Sequence, residues 1–249
     1  MTSLTDGTSL TDGLERTKQA REHFENLIQH PELLGPDFQP VTRLEDRAVV
    51  GWQVVGRGVD QTQFGDRAAF MAAAISLGLA ERLDWAYRCR VLEVAAEHGL
   101  TQPLHFKPSF TTYGTVPPPR LAVAFGRGRN RPVVVEVNER AYDEATALAT
   151  GLGEFRKWGW DVAVGDLSER VDAGSLLQRI RPSVVRVDLS RPGRSTDDAV
   201  KRYVDGARRQ DLEVLATGLD SPLRINEAQT LGATLGLGRA LGEAGPLPT

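Results

Sequence analysis

Two short stretches pose the chemical question. GWQVVGRG, residues 51–58, is a mostly apolar run that ends in a lone arginine, Arg57, and a glycine. The polar side chain ahead of the arginine is Gln53, an amide that neither ionises nor takes up a proton with useful strength. VVVEVNE, residues 133–139, sets Glu136 and Glu139 at the end of a valine run. Polar residues close other short apolar runs in the same way: His105, Asp166, Arg186 with Asp188, Thr217 and Asp220. Carboxylates and imidazoles are the groups that hold divalent ions, and arginine is the group that grips phosphate. Each residue also has a plainer reading as a helix cap or a loop polar group. Asp220 precedes Ser-Pro and Asp166 precedes a polar loop.

The elements that must position these residues follow from the pattern. FQPVTRLEDRAVVGWQVVGRG reads as two strands around a turn at Glu45–Asp46. Residues 68–100 read as helical, with a break near Gly78. PLHFKP, PVVVEVNE, WDVAVGD, SVVRVD and LEVLATG are short strands, all but the first largely buried. Helical candidates at 141–158, 172–180, 197–209 and 221–231 lie between the later ones. Apolar strands alternating with helices imply parallel pairing with helices outside. That many strands in one chain favour a closed α/β barrel, with an open doubly wound sheet as the alternative. No G-x-G-x-x-G follows a strand, which argues against a dinucleotide fold. In either architecture the site lies at the carboxyl ends of the strands.

Three segments stand apart. TSLTDG occurs twice, at 2–7 and 8–13, and residues 1–13 are read as a disordered leader. Residues 14–35 form an N-terminal helix, limited by Pro31 near His30 and expected to cap the domain. Residues 36–249 then make one barrel domain. Within it, three prolines in SFTTYGTVPPPRLAVAFGRGRNR are expected to break an outer helix, leaving LAVAF as a helical turn or short strand. GRGRNR (126–131) is expected to be a solvated basic connection.

Composition sets the outer limits. The chain has 249 residues, 41% of them apolar and 25% charged, enough for a packed core. A net charge of -3 argues against general binding to nucleic acid or membrane surfaces. A single cysteine, Cys89, rules out an internal disulfide framework and Cys-rich zinc sites. No apolar run is long enough to span a membrane and no signal peptide is visible, so a cytoplasmic location is expected.

The order and spacing of the motifs resemble the EAL domain, the cyclic di-GMP phosphodiesterase family. FQPV (38–41) is similar to the family's opening Tyr/Phe-Gln-Pro-Ile, and WQVVGRG sits at its Glu-Ala-Leu signature with the following Leu-Arg. AAFMAAAISLGLAERLDWAYR resembles the helix that carries Leu-Asp-x-Trp. VVVEVNE resembles Leu-x-Leu-Glu-Ile-Thr-Glu. WDVAVGDLSERVDAGSLLQRIRPSVVRVD matches without a gap the stretch from Ala-Leu-Asp-Asp-Phe-Gly to Leu-Lys-Ile-Asp. LEVLATGLDSPLRINEAQTLG matches Val-Val-Ala-Glu-Gly-Val-Glu and its helix, and LGATLGLGRALGEAGP the tail. The resemblance covers residues 38 to about 245 and implies a modified TIM-like (β/α) barrel, the use of magnesium or manganese, and a homodimer formed through the barrel.

Carried over residue by residue, the implied metal site is depleted. The signature glutamate is Gln53. The metal-binding asparagine falls on His105, or on Lys107 with a two-residue slip. Glu136 survives, but the paired aspartates become Gly165 and Asp166. The lysine thought to assist water attack is Arg186, the glutamate of the Ala-Glu-Gly strand is Thr217, and the late glutamine is Leu237. At an effective dielectric of 20 a charge pair in contact is worth about 4 kcal/mol, so each lost carboxylate removes several kcal/mol from ion binding. No two-ion centre and no resident cofactor are expected; His105, Glu136 and Asp166 are what remains for a residual site. Gln39, Arg57, Asp84 and Asp220 match ligand-contacting positions of the family. The resemblance therefore implies a catalytically inactive regulatory protein that binds a protein partner, cyclic di-GMP or a related nucleotide without hydrolysis, or both. The alternative is a weak phosphodiesterase with an altered metal site.

Overall fold

The structure, a computed structural model, describes residues 7–56, 67–137 and 139–247. Eight strands close a barrel in sequence order. β1 (Pro36–Arg43) and β2 (Val49–Gly56) form an antiparallel hairpin, with Arg47 in the left-handed region (φ 63) at its turn. β3 (Leu104–Phe106), β4 (Val133–Glu136), β5 (Asp161–Val164), β6 (Val184–Asp188), β7 (Glu213–Thr217) and β8 (Leu235–Leu237) continue from β2 in parallel. β8 returns to β1 antiparallel through Thr42↔Gly236 and Arg43↔Leu235. The expected TIM-like barrel with an N-terminal helix is the observed architecture.

Strand alternation sorts the side chains. Val41, Val134, Ala163, Val184, Leu215, Leu235 and Leu237 fill the barrel interior. The intervening residues face outward under the helices, in one cluster around Leu104, Val133 and Val135 and another around Val162, Val185 and Val214. Burial on both faces explains why these strands read as unbroken apolar runs. Helices α2 (Arg67–Ser76), α3 (Ala80–Glu97), α5 (Ala145–Lys157), α6 (Ala173–Ile180), α7 (Asp198–Arg208) and α8 (Pro222–Leu231) lie where periodicity placed them, with Gly78 (φ 69) between α2 and α3.

Three expectations fail. The proline-rich segment does not lose its helix: α4 runs from Pro119 to Gly128 and buries Leu121, Phe125 and Gly128. The prolines precede the helix or start it, where a missing N–H removes no helical bond. Gly128 lets α4 lie close to α3, since a Cβ there would come within 2.6 Å of Leu92 Cβ. The basic stretch 126–131 is therefore not a free loop: it supplies the last helical turn, and Arg131 donates to the Leu100 carbonyl (2.9 Å). The N-terminal helix, α1 (Gly7–Gln29), begins inside the segment read as a disordered leader and ends at Gln29, beside His30 where Pro31 is expected to limit it. It docks through Phe24, Leu27 and Ile28, with Phe24 against Phe70 (ring centroids 4.8 Å apart). Each such side chain contributes roughly 1.5–3 kcal/mol by leaving water.

Candidate functional site at the barrel mouth

Period-two alternation carries the inward face of each strand to the carboxyl end, where Gln53, His105, Glu136, Gly165, Arg186, Thr217 and Leu237 form the mouth. Arg186 lies at its centre. Its Nη1 donates to Gln53 Oε1 (3.0 Å) and to Glu136 Oε2, so one guanidinium bridges β2 and β4 from β6. Gln53 Nε2 donates in turn to the His105 carbonyl (3.0 Å). Lys107, past the end of β3, approaches Glu136 Oε1 (3.6 Å) and ion-pairs with Glu139 (2.5 Å). Each of the two mouth glutamates thus faces at least one cation.

Asp166 takes a different partner. Its Oδ1 accepts from the Ser168 amide (3.0 Å) and hydroxyl (2.5 Å), and its Oδ2 from the Asp188 amide (3.2 Å) and Arg194 Nη2 (2.6 Å). Arg194, in the loop after β6, is 8% exposed and also reaches Glu169 and Asp197. The loop that follows Asp166 is tied further by Arg170 to Asp143 and Asp172.

His105 points into the barrel. A Cβ at Gly51 would come within 2.9 Å of its Nε2, so glycine makes room for the ring. Burial, with a smaller contribution from the Arg186 charge, pushes its pKa down to about 4, so the imidazole is neutral near pH 7. Leu237 is buried in the interior cluster, and the Thr217 hydroxyl lies 3.5 Å from the Val187 carbonyl. Gly165 has ordinary space: a Cβ there would lie 3.6 Å from Glu136 Oε1 and 3.7 Å from Glu139 Oε1. The three residues left for a residual ion site are not brought together. Among the described residues, no group of three or more His, Cys, Asp or Glu side chains gathers to hold a metal.

The residues at ligand-contacting positions have internal partners. Gln39 donates to the Gly242 carbonyl (2.9 Å). Asp84 accepts from the Ser109 amide (3.0 Å), Arg88 Nη2 (2.6 Å) and Thr112 Oγ1 (3.1 Å). Asp220 accepts from the backbone and side chain of Arg239, which hold its carboxyl below the usual range. Arg57 lies outside the described residues. A cavity of ≈ 300 Å³ opens beside the mouth, walled by Leu34, Val54, Phe70, Met71, Leu83 and Phe106, with Asp84, Arg88 and Lys107 also lining it.

Arg88 and Arg194 were not singled out in the sequence. Arg88 carried a signal, since it stands four residues after Asp84 on one helix. Arg194 carried none, because its acid comes from another strand end 28 residues away.

The family model for the EAL domain matches residues 21–244. The chain belongs to the EAL domain family. The solved structures agree in fold. The EAL domain of Xanthomonas citri FimX in complex with c-diGMP superposes with a TM-score of 0.77 at 14% identity, covering 95% of this chain and 97% of that one. The FimX EAL domain from Pseudomonas aeruginosa bound to c-di-GMP gives 0.73 at 20% identity, over 92% and 97%. A standalone EAL protein from Vibrio cholerae O395 in its c-di-GMP-bound form gives 0.63 at 18% identity, over 87% and 94%. No curated protein matches the chain. Among the described residues, no helix of this EAL domain is long and apolar enough to cross a membrane.

Proposed function

We propose that this chain is a non-hydrolysing EAL-domain regulator in cyclic di-GMP-type signalling, acting by binding a protein partner. The observation that carries this reading is the place of Arg186, bonded at once to Gln53 and Glu136. Two-ion hydrolysis of a phosphodiester needs several anionic oxygen ligands converging on one point. The residues present do not fit that group. Gln53, Gly165 and Thr217 bring no carboxylate, Glu136 faces two cations, and Asp166 already accepts four donors. An arginine at position 186 also supports the reading, because a guanidinium stays protonated and shuttles no proton. The test is incubation of the full chain with cyclic di-GMP and magnesium, manganese or calcium in turn. No linear dinucleotide is expected in any of them, and metal-dependent product would overturn the reading.

A second reading, a receptor that binds cyclic di-GMP without cleaving it, is favoured by the cavity beside the mouth. The FimX neighbours were solved with that nucleotide. Against it stand the internal partners of Gln39, Asp84 and Asp220. Calorimetric titration with cyclic di-GMP, with and without magnesium, separates the two. Micromolar binding that is lost in Arg57→Ala makes the chain a receptor, and no heat leaves partner binding.

A further inference from the structure

Glu136 and Asp166, the two carboxylates left at the implied metal-ligating positions, each face a tethered guanidinium. Glu136, on β4, is met by Arg186 from β6. Asp166, just after β5, is met by Arg194 from the loop after β6. Both acids are well shielded, with side chains 12% and 17% exposed, and so are the arginines, at 18% and 8%. A shielded carboxylate without a counter-charge is strongly unfavourable, so something cationic must accompany each. An ion bound from solution is one solution, and an arginine in the chain is another. A carboxylate offers about four lone-pair positions. At Asp166 all four are used, by two amides, a hydroxyl and a guanidinium.

We propose that Arg186 and Arg194 are built-in counter-cations that replace divalent ions at the barrel mouth, leaving the fold independent of metal and the mouth closed to it. The inference deepens the non-hydrolysing reading and rests on it for what the site has given up. It adds that each of these acids is balanced by a guanidinium of the chain itself, and that each pair holds strand ends together. Arg186 ties β6 to β4 and, through Gln53, to β2. Arg194 ties the loop after β6 to the end of β5.

The test uses the purified full chain. Manganese binding is read by the loss of free-ion paramagnetic resonance signal, and melting is followed with EDTA or with 10 mM magnesium, manganese or calcium. No bound manganese and no change in melting temperature are expected. A site with a Kd of about 1 mM would raise the melting temperature by about 3–6 °C at that concentration, and such a rise overturns the proposal. Manganese binding without hydrolysis overturns it too, but leaves the non-hydrolysing reading standing. Metal-dependent hydrolysis overturns both.

The variants Arg186→Met and Arg194→Met supply the converse. Each should melt below the wild type and recover part of the loss when manganese or calcium is added. Combination with Glu136→Gln or Asp166→Asn respectively should restore the same part without any ion. Variants that respond neither to ions nor to neutralising the acid overturn the proposal. If a single variant fails to fold, the wild-type titration still decides.

Discussion

Asp84 is the residue on which ligand binding and structure make opposite predictions. Its carboxylate accepts three donors, and the nearest, Arg88, has a side chain only 3% exposed, held 4.2 Å over the Trp85 ring. Asp84→Asn leaves the shape but removes the charge, stranding a buried guanidinium. Breaking a buried pair from one side costs about 3–5 kcal/mol. For a chain of this size that is a fall in melting temperature of about 6–20 °C. Tryptophan fluorescence in a urea titration reads it directly, since Trp85 lies against Arg88. Arg88→Met should also destabilise, and the double variant should lose clearly less than the two single losses added together. A ligand-facing aspartate would behave differently, with stability within about 0.5 kcal/mol of wild type. An Asp84→Asn protein of undiminished stability that no longer binds cyclic di-GMP would refute the structural role.

Other substitutions and conditions carry equally definite expectations. His105 has a folded pKa pushed down to about 4 against an ordinary 6.5, so the unfolded chain takes up its proton first. The stability it contributes is complete above pH 6.5 and is lost as pH falls towards 4. Urea titrations should show a drop of about 2 kcal/mol from pH 7 to pH 5 that is missing from His105→Gln, and parallel curves would contradict the assignment. Gly165→Ala should change stability by no more than about 1 kcal/mol, since its Cβ meets only ordinary contacts. Gly165→Asp should lose about 1–3 kcal/mol by setting a carboxylate beside Glu136 and Glu139, as thermal melts would show. Burial pushes the Cys89 thiol up to about 12. Thiol reagents at pH 8 should therefore label Cys89 only in denaturant, and rapid labelling of the native chain would count against its burial.

The barrel was legible because its signal is local and repeated. Valine runs at 133–135 and 184–185 read as buried strands, and helical spacing lay between them. β8 was not named as a strand, since it is three residues long and its middle residue is glycine. The outer helix at Pro119 is hard to see in the sequence because proline, which breaks a helix from inside, is here the residue that starts one. In the site, the positions emptied of carboxylate could be read from residue types alone. Where the remaining charges point could not. Arg186 reaches Gln53 across 133 residues of sequence and Glu136 across 50, and Asp166 turns to Arg194 across 28. Such pairings are set by barrel closure, and no short-range pattern announces them.

The join between β1 and β8 has a consequence for how this chain comes to be folded. It is held by two paired residues on each side, from strands roughly 200 residues apart. Gly236, the partner of Thr42, packs so tightly there that a Cβ would come within 2.5 Å of Leu44 Cδ2. A nascent chain on the ribosome can form the β1–β2 hairpin and add each parallel strand in turn. It cannot close the cylinder until β8 has emerged. Until then the ladder edges of β1 and of the newest strand stay unpaired, so aggregation during synthesis is the hazard this topology exposes.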